Sequence, residues 1–235
     1  MRIGHRRGYM PVDGDYKMIT LEHQNYILSL TRKLISSCLD EAGFDPTVKE
    51  PGHSYGEKVE EILVNKFVGI DVRFSSPSKT KGRGKQTRKM EDFLFLQNLV
   101  NVKLGYEKGK GQPNMVSFNR LVKKYLSGEI DSYYVLIIDV RGTTKENLTT
   151  QEYLFDLFDY LDYVNYNYGT GQVMLKESQF FADYDSNTYI HKTKKEIVEQ
   201  LMEIDEKAYQ SHIKLKKQQH KKKQEEFNEY LQALQ

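Results

Sequence analysis

The stretch EDFLFLQNLVNVKLG, residues 91–105, constrains the fold and the chemistry of this sequence more than any other segment. Residues 92–96 and 99–104 are rich in apolar residues that favour β-strands. A polar pair, Gln97-Asn98, separates them, and this arrangement predicts a β-hairpin with its turn at that pair.

Three polar side chains of this hairpin are candidates for chemistry. Asn101 and Lys103 lie two residues apart on the second strand, so their side chains point to the same face. The neighbouring strand can bring Asp92 beside them. Carboxylate and carbonyl oxygens are the ligands that Mg²⁺ prefers, and a lysine nearby can orient water or offset charge on a phosphate. The set fits metal-assisted hydrolysis of a phosphodiester.

Two alternatives stay open on spacing alone. The same pattern arises in a hairpin that only exposes polar residues to water, and this is the simpler interpretation of the spacing. Asp71, in GIDVRF, is a rival for the acidic position, although its segment is less clearly paired with the strand that carries Asn101.

The elements around the hairpin predict an α/β domain with a mixed central sheet flanked by helices and with a helical C-terminal region. An apolar run, YYVLIIDV at 133–140, is typical of a strand covered on both sides. A second strand is predicted at 172–176, and Thr150 is predicted to cap a helix that runs to about residue 161. Periodicity predicts further helices at 21–41, 56–67, 117–126 and from 194 to the end.

The expected organisation is one domain over 1–235, with a helical dimerisation region at 1–50. A catalytic α/β core then covers 51–180 and a basic helical region covers 181–235.

Composition narrows the class of protein. The 235 residues are 38% hydrophobic, which is enough to build a core. Lys and Arg total 35 against 33 Asp and Glu, which excludes a uniformly basic nucleic-acid coat. The single cysteine, Cys38, excludes a disulfide framework and is expected to be a small buried residue. Neither a membrane span nor a signal peptide is expected, so the predicted protein is soluble and intracellular.

Positive charge is concentrated in three segments, 79–89, 108–112 and 212–224. The first two contain glycines and are the first candidates for binding phosphates. Their candidate residues are Lys81, Arg83, Lys85, Lys108 and Lys110. The third segment is weaker evidence for phosphate binding, because a lysine-rich helix end is more often a solvated face.

Two further motifs add a family resemblance. The segment GHSYGEKVEEILVNKF, 52–67, places Glu57 and Glu60 one helical turn apart, and QPN, 112–114, follows the hairpin. The order GHxxGExxE, then D-x8-N-V-K, then PN resembles type II restriction endonucleases of the PD-(D/E)XK superfamily, and in particular the branch with HincII and EcoRV. The resemblance covers roughly residues 50–140.

The resemblance implies a restriction-endonuclease-like fold and a role for each matching residue. Asp92, Asn101 and the carbonyl of Val102 would bind Mg²⁺, and Lys103 would position the attacking water. Either Glu57 or Glu60 would supply the helix acid, and Glu60 is favoured because it lies deeper on the helix.

The family's groove-entering loop corresponds to Gln112 and Asn114, and Asn119 lies near it. Two departures weaken the match: Asn101 stands where the family usually has Asp or Glu, and Glu91 stands where the motif name has Pro.

The implied activity is site-specific cleavage of double-stranded DNA that leaves 5′-phosphate, blunt ends. The implied partners are a second copy of the chain, which gives a two-fold dimer, and a cognate DNA methyltransferase in a bacterial cytoplasm. Two alternatives remain: a repair or junction-resolving nuclease on the same fold, and a non-catalytic DNA-binding protein in which Asn101 marks a decayed metal site.

Overall fold

Helices and strands alternate along the chain in a computed structural model that describes residues 19–76, 90–106, 114–184 and 191–233. The helices are α1 (Leu21–Ala42), α2 (Pro51–Ile70), α3 (Phe118–Leu126), α4 (Glu177–Asp183) and α5 (Lys194–Ala233). The strands are β1 (Phe74–Ser75), β2 (Phe93–Phe95), β3 (Asn98–Tyr106), β4 (Asn114–Ser117), β5 (Tyr134–Arg141), β6 (Thr149–Asp156), β7 (Val164–Asn167) and β8 (Gln172–Leu175).

A mixed sheet with strand order β1-β2-β3-β5-β6 forms the centre of the described structure. β3 and β5 pair in parallel, and the other neighbours pair antiparallel. A smaller antiparallel sheet has the order β4-β8-β7. The predicted α/β class, with a mixed central sheet, flanking helices and a long C-terminal helix, is confirmed.

Strand β5 is an interior strand of this sheet, between β3 and β6, and is covered on both faces. Leu136 and Ile138 pack into the cluster that α1 and α2 cover. Val135 and Ile137 pack into the opposite cluster, which is built with α3, the smaller sheet and the start of α5. This explains why the sequence of β5 is a continuous apolar run rather than an alternating one.

The hairpin of β2 and β3 forms as predicted, with its turn one residue earlier. Leu96 and Gln97 both have positive φ, 48° and 69°, which is the backbone of a type I′ turn. The side-chain amide of Asn98 donates to the carbonyls of Phe95 and Leu96 at 3.2 and 3.3 Å. These bonds stabilise a left-handed turn that has no glycine. The register then places Phe93 opposite Val100.

The predicted helix from Thr150 to about residue 161 is wrong, because this segment forms β6 and a following turn. β6 pairs with β5 along its whole length. Glu152 is buried, and its carboxylate accepts from Arg32 of α1 at 2.9 Å. Asp156 accepts backbone amides from Tyr133 and Phe158. Arg32 and Tyr133, which are distant in sequence, therefore contribute partners to the acidic residues of this strand.

The other predicted elements differ mainly in their limits. α2 begins at Pro51, five residues before the prediction, while α1 and α5 begin where the sequence places them. Strands β1, β4 and β7 and helix α4 were not predicted. Cys38 is buried, as expected. Tyr166 stacks on Phe118 with ring centroids 4.2 Å apart.

Within the described ranges, no helix combines the length and the apolar character needed to cross a bilayer.

The end of β6 should make stability depend on pH. Burial raises the pKa of Asp156 to about 7, although the Tyr133 and Phe158 amides oppose the shift. The folded state therefore keeps a proton where the unfolded state has lost it, and stability falls as pH rises toward that value. D156N retains an oxygen for both amides and removes the ionisation. From about pH 5 to about pH 8, wild type should lose on the order of 1 kcal/mol more unfolding free energy than D156N.

Urea unfolding followed by circular dichroism measures this difference. D40N, at an exposed position on α1, is the control and should behave like wild type. Identical pH dependence in D156N and wild type would contradict the prediction.

Candidate active site

Helix α2 places one carboxylate against the central sheet. Val59 and Leu63 are fully buried, so this side of the helix faces the sheet. Glu60 lies at the edge of that contact, and its Oε1 accepts the backbone amide of Leu104 on β3 at 3.1 Å. A Cβ at Gly56, one turn earlier, would lie 3.9 Å from that oxygen, which is ordinary van der Waals contact.

The hairpin supplies a second carboxylate. Asp92 immediately precedes β2, and its backbone amide donates to the carbonyl of Val100 at 2.9 Å. Its side-chain Oδ2 accepts the amide of Val102 at 2.7 Å. Both bonds join Asp92 to β3, so the position of this carboxylate is set by the hairpin register.

Lys103 joins the two carboxylates. Its Nζ lies 3.6 Å from Oε2 of Glu60 and 4.0 Å from Oδ2 of Asp92. The same ammonium donates to the carbonyl of Val102 at 2.7 Å. We call Glu60, Asp92 and Lys103 the acid–lysine cluster. With both acids ionised it carries one more negative than positive charge, so it can attract a further cation.

Partial burial disfavours the ionised form of both acids. Burial raises the pKa of Glu60, and the charge of Asp92 adds to this effect, while Lys103 and the Leu104 amide oppose it. Burial likewise raises the pKa of Asp92 against the opposing effects of Lys103 and the Val102 amide. Paired acids with raised pKa values in a shared environment are typical of functional sites. A divalent cation would stabilise both charged forms.

Asn101 lies beside this cluster and is buried. Its Nδ2 donates to the carbonyl of Met90 at 3.1 Å. Its Oδ1 has no hydrogen-bond partner among the described residues. The Met90 carbonyl also accepts the hydroxyl of Tyr133 in a short hydrogen bond, and Tyr133 is fully buried. Two donors thus hold the backbone two residues before Asp92.

The remaining predicted acids lie apart from the cluster. Glu57 is exposed on α2, and no hydrogen bond or ion pair in the described ranges joins it to Lys103 or Asp92. Asp71 is engaged elsewhere, since Arg73 contacts its Oδ2 at 2.6 Å and the Tyr26 hydroxyl donates to it at 2.7 Å. These hydrogen bonds, led by those from Arg73, hold the pKa of Asp71 well below its usual range. The geometry therefore groups Glu60 and Asp92 with Lys103.

Most of the predicted DNA-binding residues fall outside the described residues. These are Lys81, Arg83, Lys85, Lys108, Lys110 and Gln112. Asn114 begins β4, and Asn119 is exposed on the first turn of α3. In the sequence, the two basic segments flank the hairpin: one ends three residues before Asp92, and the other begins five residues after Lys103.

Sequence reasoning missed Met90 and Tyr133. Tyr133 lies 43 residues from Met90 in sequence, so only the parallel pairing of β3 with β5 brings them together. The signal in the sequence was the hydroxyl of Tyr133, because a fully buried tyrosine needs a hydrogen-bond partner.

The oxygen atoms around the cluster suit a hard cation. The described residues contain no group of three His, Cys, Asp or Glu side chains that could hold a metal. Glu60 and Asp92 provide two carboxylates, and the Val102 carbonyl and Asn101 Oδ1 are neutral oxygens nearby on β3. Mg²⁺ usually takes one or two carboxylates and completes its shell with water and substrate phosphate.

Comparison with known proteins gives similarities to solved structures but no match to a family model or a curated protein. Among solved structures, the chain is similar to a restriction endonuclease in complex with substrate DNA, with a TM-score of 0.30 and 9% sequence identity. The match covers 52% of this chain and 57% of that one, so it spans little more than half of either.

Proposed function

We propose that this chain is a Mg²⁺-dependent nuclease that hydrolyses phosphodiester bonds of double-stranded DNA, and that it acts as a type II restriction endonuclease. The observation that carries the proposal is the acid–lysine cluster. Its lysine lies within 4.0 Å of two partly buried carboxylates that come from different elements. The motif order GHxxGExxE, D-x8-N-V-K and PN supports the restriction-type assignment.

The residues present fit a magnesium ion. Glu60 and Asp92 would be its charged ligands, and their raised pKa values leave a stabilising role for a cation. Asn101 would add the side-chain oxygen that lacks a partner. The Val102 carbonyl, which currently accepts from Lys103, would become available when that flexible ammonium turns toward substrate. Glu60 thus compensates for the charge that an amide at position 101 does not supply.

Each residue of the acid–lysine cluster then has a role in the reaction. Lys103 would hold the attacking water and offset negative charge on the scissile phosphate. Asp92 and Glu60 would fix the site and keep the lysine oriented toward it. When bound, Mg²⁺ would supply positive charge for the developing charge on the phosphate. Water attacks phosphorus in line, the bond to the 3′-oxygen breaks, and the products carry 5′-phosphate and 3′-hydroxyl ends.

The partner and the assembly follow from the substrate. The basic segments on either side of the hairpin in sequence would bind phosphates, and binding should weaken steeply with salt. A symmetric DNA site calls for a two-fold dimer with one acid–lysine cluster facing each strand. The resemblance favours a central cut with blunt ends, and a host methyltransferase would protect the same site.

A second candidate function rests on Asn101. Its amide donates to a backbone carbonyl, as a purely structural asparagine would. This geometry is compatible with a DNA-binding protein that has lost catalysis.

Digestion of a long, sequenced DNA separates these functions. With Mg²⁺, the proposal expects discrete fragments whose mapped ends share one short sequence, and with EDTA it expects none. Cleavage only of branched DNA would favour a junction-resolving enzyme. Binding without metal-dependent cutting of any substrate would favour the non-catalytic protein and contradict the proposed activity.

Lys103→Ala should lower the cleavage rate by roughly 10³-fold, because it removes the only ammonium shown between the carboxylates of the described cluster. DNA binding, measured without Mg²⁺, should change little. The matched control is Lys66→Ala, since Lys66 is also partly buried and paired with an acid, Glu41, at 2.6 Å. Cleavage by K103A at the wild-type rate would show that the site is assigned wrongly.

Asn101→Asp tests whether position 101 faces the metal. In EDTA the variant should lose about 1–3 kcal/mol of unfolding free energy, because the donor to the Met90 carbonyl is lost and a buried charge is added. Mg²⁺ should restore part of this loss, because the new carboxylate strengthens the ligand set. Thermal unfolding with and without Mg²⁺ measures both effects.

Asn98→Asp is the matched control for that experiment. Asn98 is equally buried on β3 and its amide also donates to backbone carbonyls, but these belong to the turn. N98D should be destabilised without recovery in Mg²⁺. An equal response of the two variants to Mg²⁺ would contradict the proposal that Asn101 is a metal ligand.

A further inference from the structure

The distal half of α5 is a basic helix that nothing in the described structure covers. α5 has 40 residues and is about 60 Å long. Its first part packs on the protein through buried Ile197 and Leu201, and Leu215 is the last of its residues to line the cavity beside β7. All side chains described from 214 to 232 are exposed. Packing therefore does not explain the sequence of this half.

Charge distinguishes this half of the helix from the first. Residues 212–224, which we call the basic arm, contain six lysines and no acid. Earlier lysines of α5 are paired, as in Lys207 with Glu203 at 2.6 Å. By contrast, Lys214, Lys216 and Lys217 have no carboxylate within 4.0 Å among the described residues. The arm thus exposes positive charge that the protein does not neutralise.

The spacing of three lysines gives the arm a line of charge. Lys214, Lys217 and Lys221 are three and four residues apart, so they lie on one side of the helix over about 10 Å. Lys221 has only a long, exposed contact with Glu225 at 3.7 Å. Ammonium groups in such a row can contact successive phosphates.

The arm lacks what a membrane-binding helix needs. No apolar side chain lies between Leu215 and Phe227, so this segment has no apolar face to insert into lipid. Glutamines and a histidine fill the positions between the lysines, and such side chains donate hydrogen bonds to phosphate and sugar oxygens.

We propose that the basic arm is a DNA-binding surface of this chain, in which Lys214, Lys217 and Lys221 contact the phosphate backbone of duplex DNA. The inference rests on the proposed function in taking DNA as the partner, but it concerns a surface separate from the acid–lysine cluster. It extends DNA binding to a helix for which the sequence alone favoured a solvated face and gave weaker evidence of phosphate binding.

The test is the salt dependence of binding to a labelled DNA duplex in EDTA, measured by fluorescence anisotropy. The full-length variant K214Q/K217Q/K221Q should reduce the slope of log affinity against log salt by about 2–3, at about 0.9 for each lost phosphate contact. The control K194Q/K195Q/K207Q removes the same charge from the part of the helix before the arm. There Lys194 and Lys207 are paired with acids at 2.7 and 2.6 Å, and Lys195 has a 3.7 Å contact like that of Lys221. The slope of this control should stay close to wild type.

Each other outcome overturns the inference. Equal slope changes in the two triple variants would show that only net charge matters. No binding of the duplex by wild type, or preferential binding to phosphatidylserine vesicles, would identify the wrong partner.

Plasmid digestion in Mg²⁺ by the same proteins separates this inference from the proposed function. Cleavage without a slope difference would support the acid–lysine cluster as the active site and contradict DNA binding by the basic arm. A slope difference without cleavage would support DNA binding by the basic arm and contradict the proposed nuclease activity.

Discussion

Two partly buried carboxylates, from Glu60 and Asp92, share one ammonium, that of Lys103. Burial penalises the ionised acids, and a single positive charge does not balance both. The fold maintains this imbalance through backbone amides: Leu104 donates to Glu60 and Val102 donates to Asp92. A site that holds excess negative charge in a fixed geometry attracts a second cation.

This arrangement makes the site depend on strand register. Alternate residues of β3 face opposite sides of the sheet, so a slip of one residue would move Lys103 away from Asp92. The left-handed turn at Leu96 and Gln97 and the amide bonds of Asn98 prevent that slip. Met90, held by Asn101 and Tyr133, fixes the other end of the hairpin. The buried polar groups of this region therefore serve the placement of Asp92.

Much of the architecture could be predicted from the sequence because its signals are local. The apolar run of β5 and the periodicity of α1 and α5 each specify one element. The predicted hairpin placed Asp92 beside the strand of Asn101 and Lys103, and in the structure Asp92 lies 4.0 Å from Lys103. The choice of Glu60 over Glu57 followed from depth on the helix, and the structure brings Glu60 to the lysine.

The parts that could not be predicted depend on distant partners. The segment that forms β6 was predicted to be a helix capped by Thr150, but it pairs with β5 along its whole length and Glu152 contacts Arg32 of α1. Asn101 and Tyr133 donate to the same Met90 carbonyl, and Tyr133 lies 43 residues from Met90 in sequence. No pattern within a short window contains that information.

The most direct test of the metal-binding claim is anomalous diffraction from crystals of the protein soaked with Mn²⁺, which takes the same oxygen ligands as Mg²⁺. The account predicts a peak within about 2.5 Å of carboxylate oxygens from both Glu60 and Asp92, with the Lys103 ammonium displaced from the carbonyl of Val102. A structure with Lys103 still between the two acids and no peak there, at a Mn²⁺ concentration that supports cleavage, would contradict it.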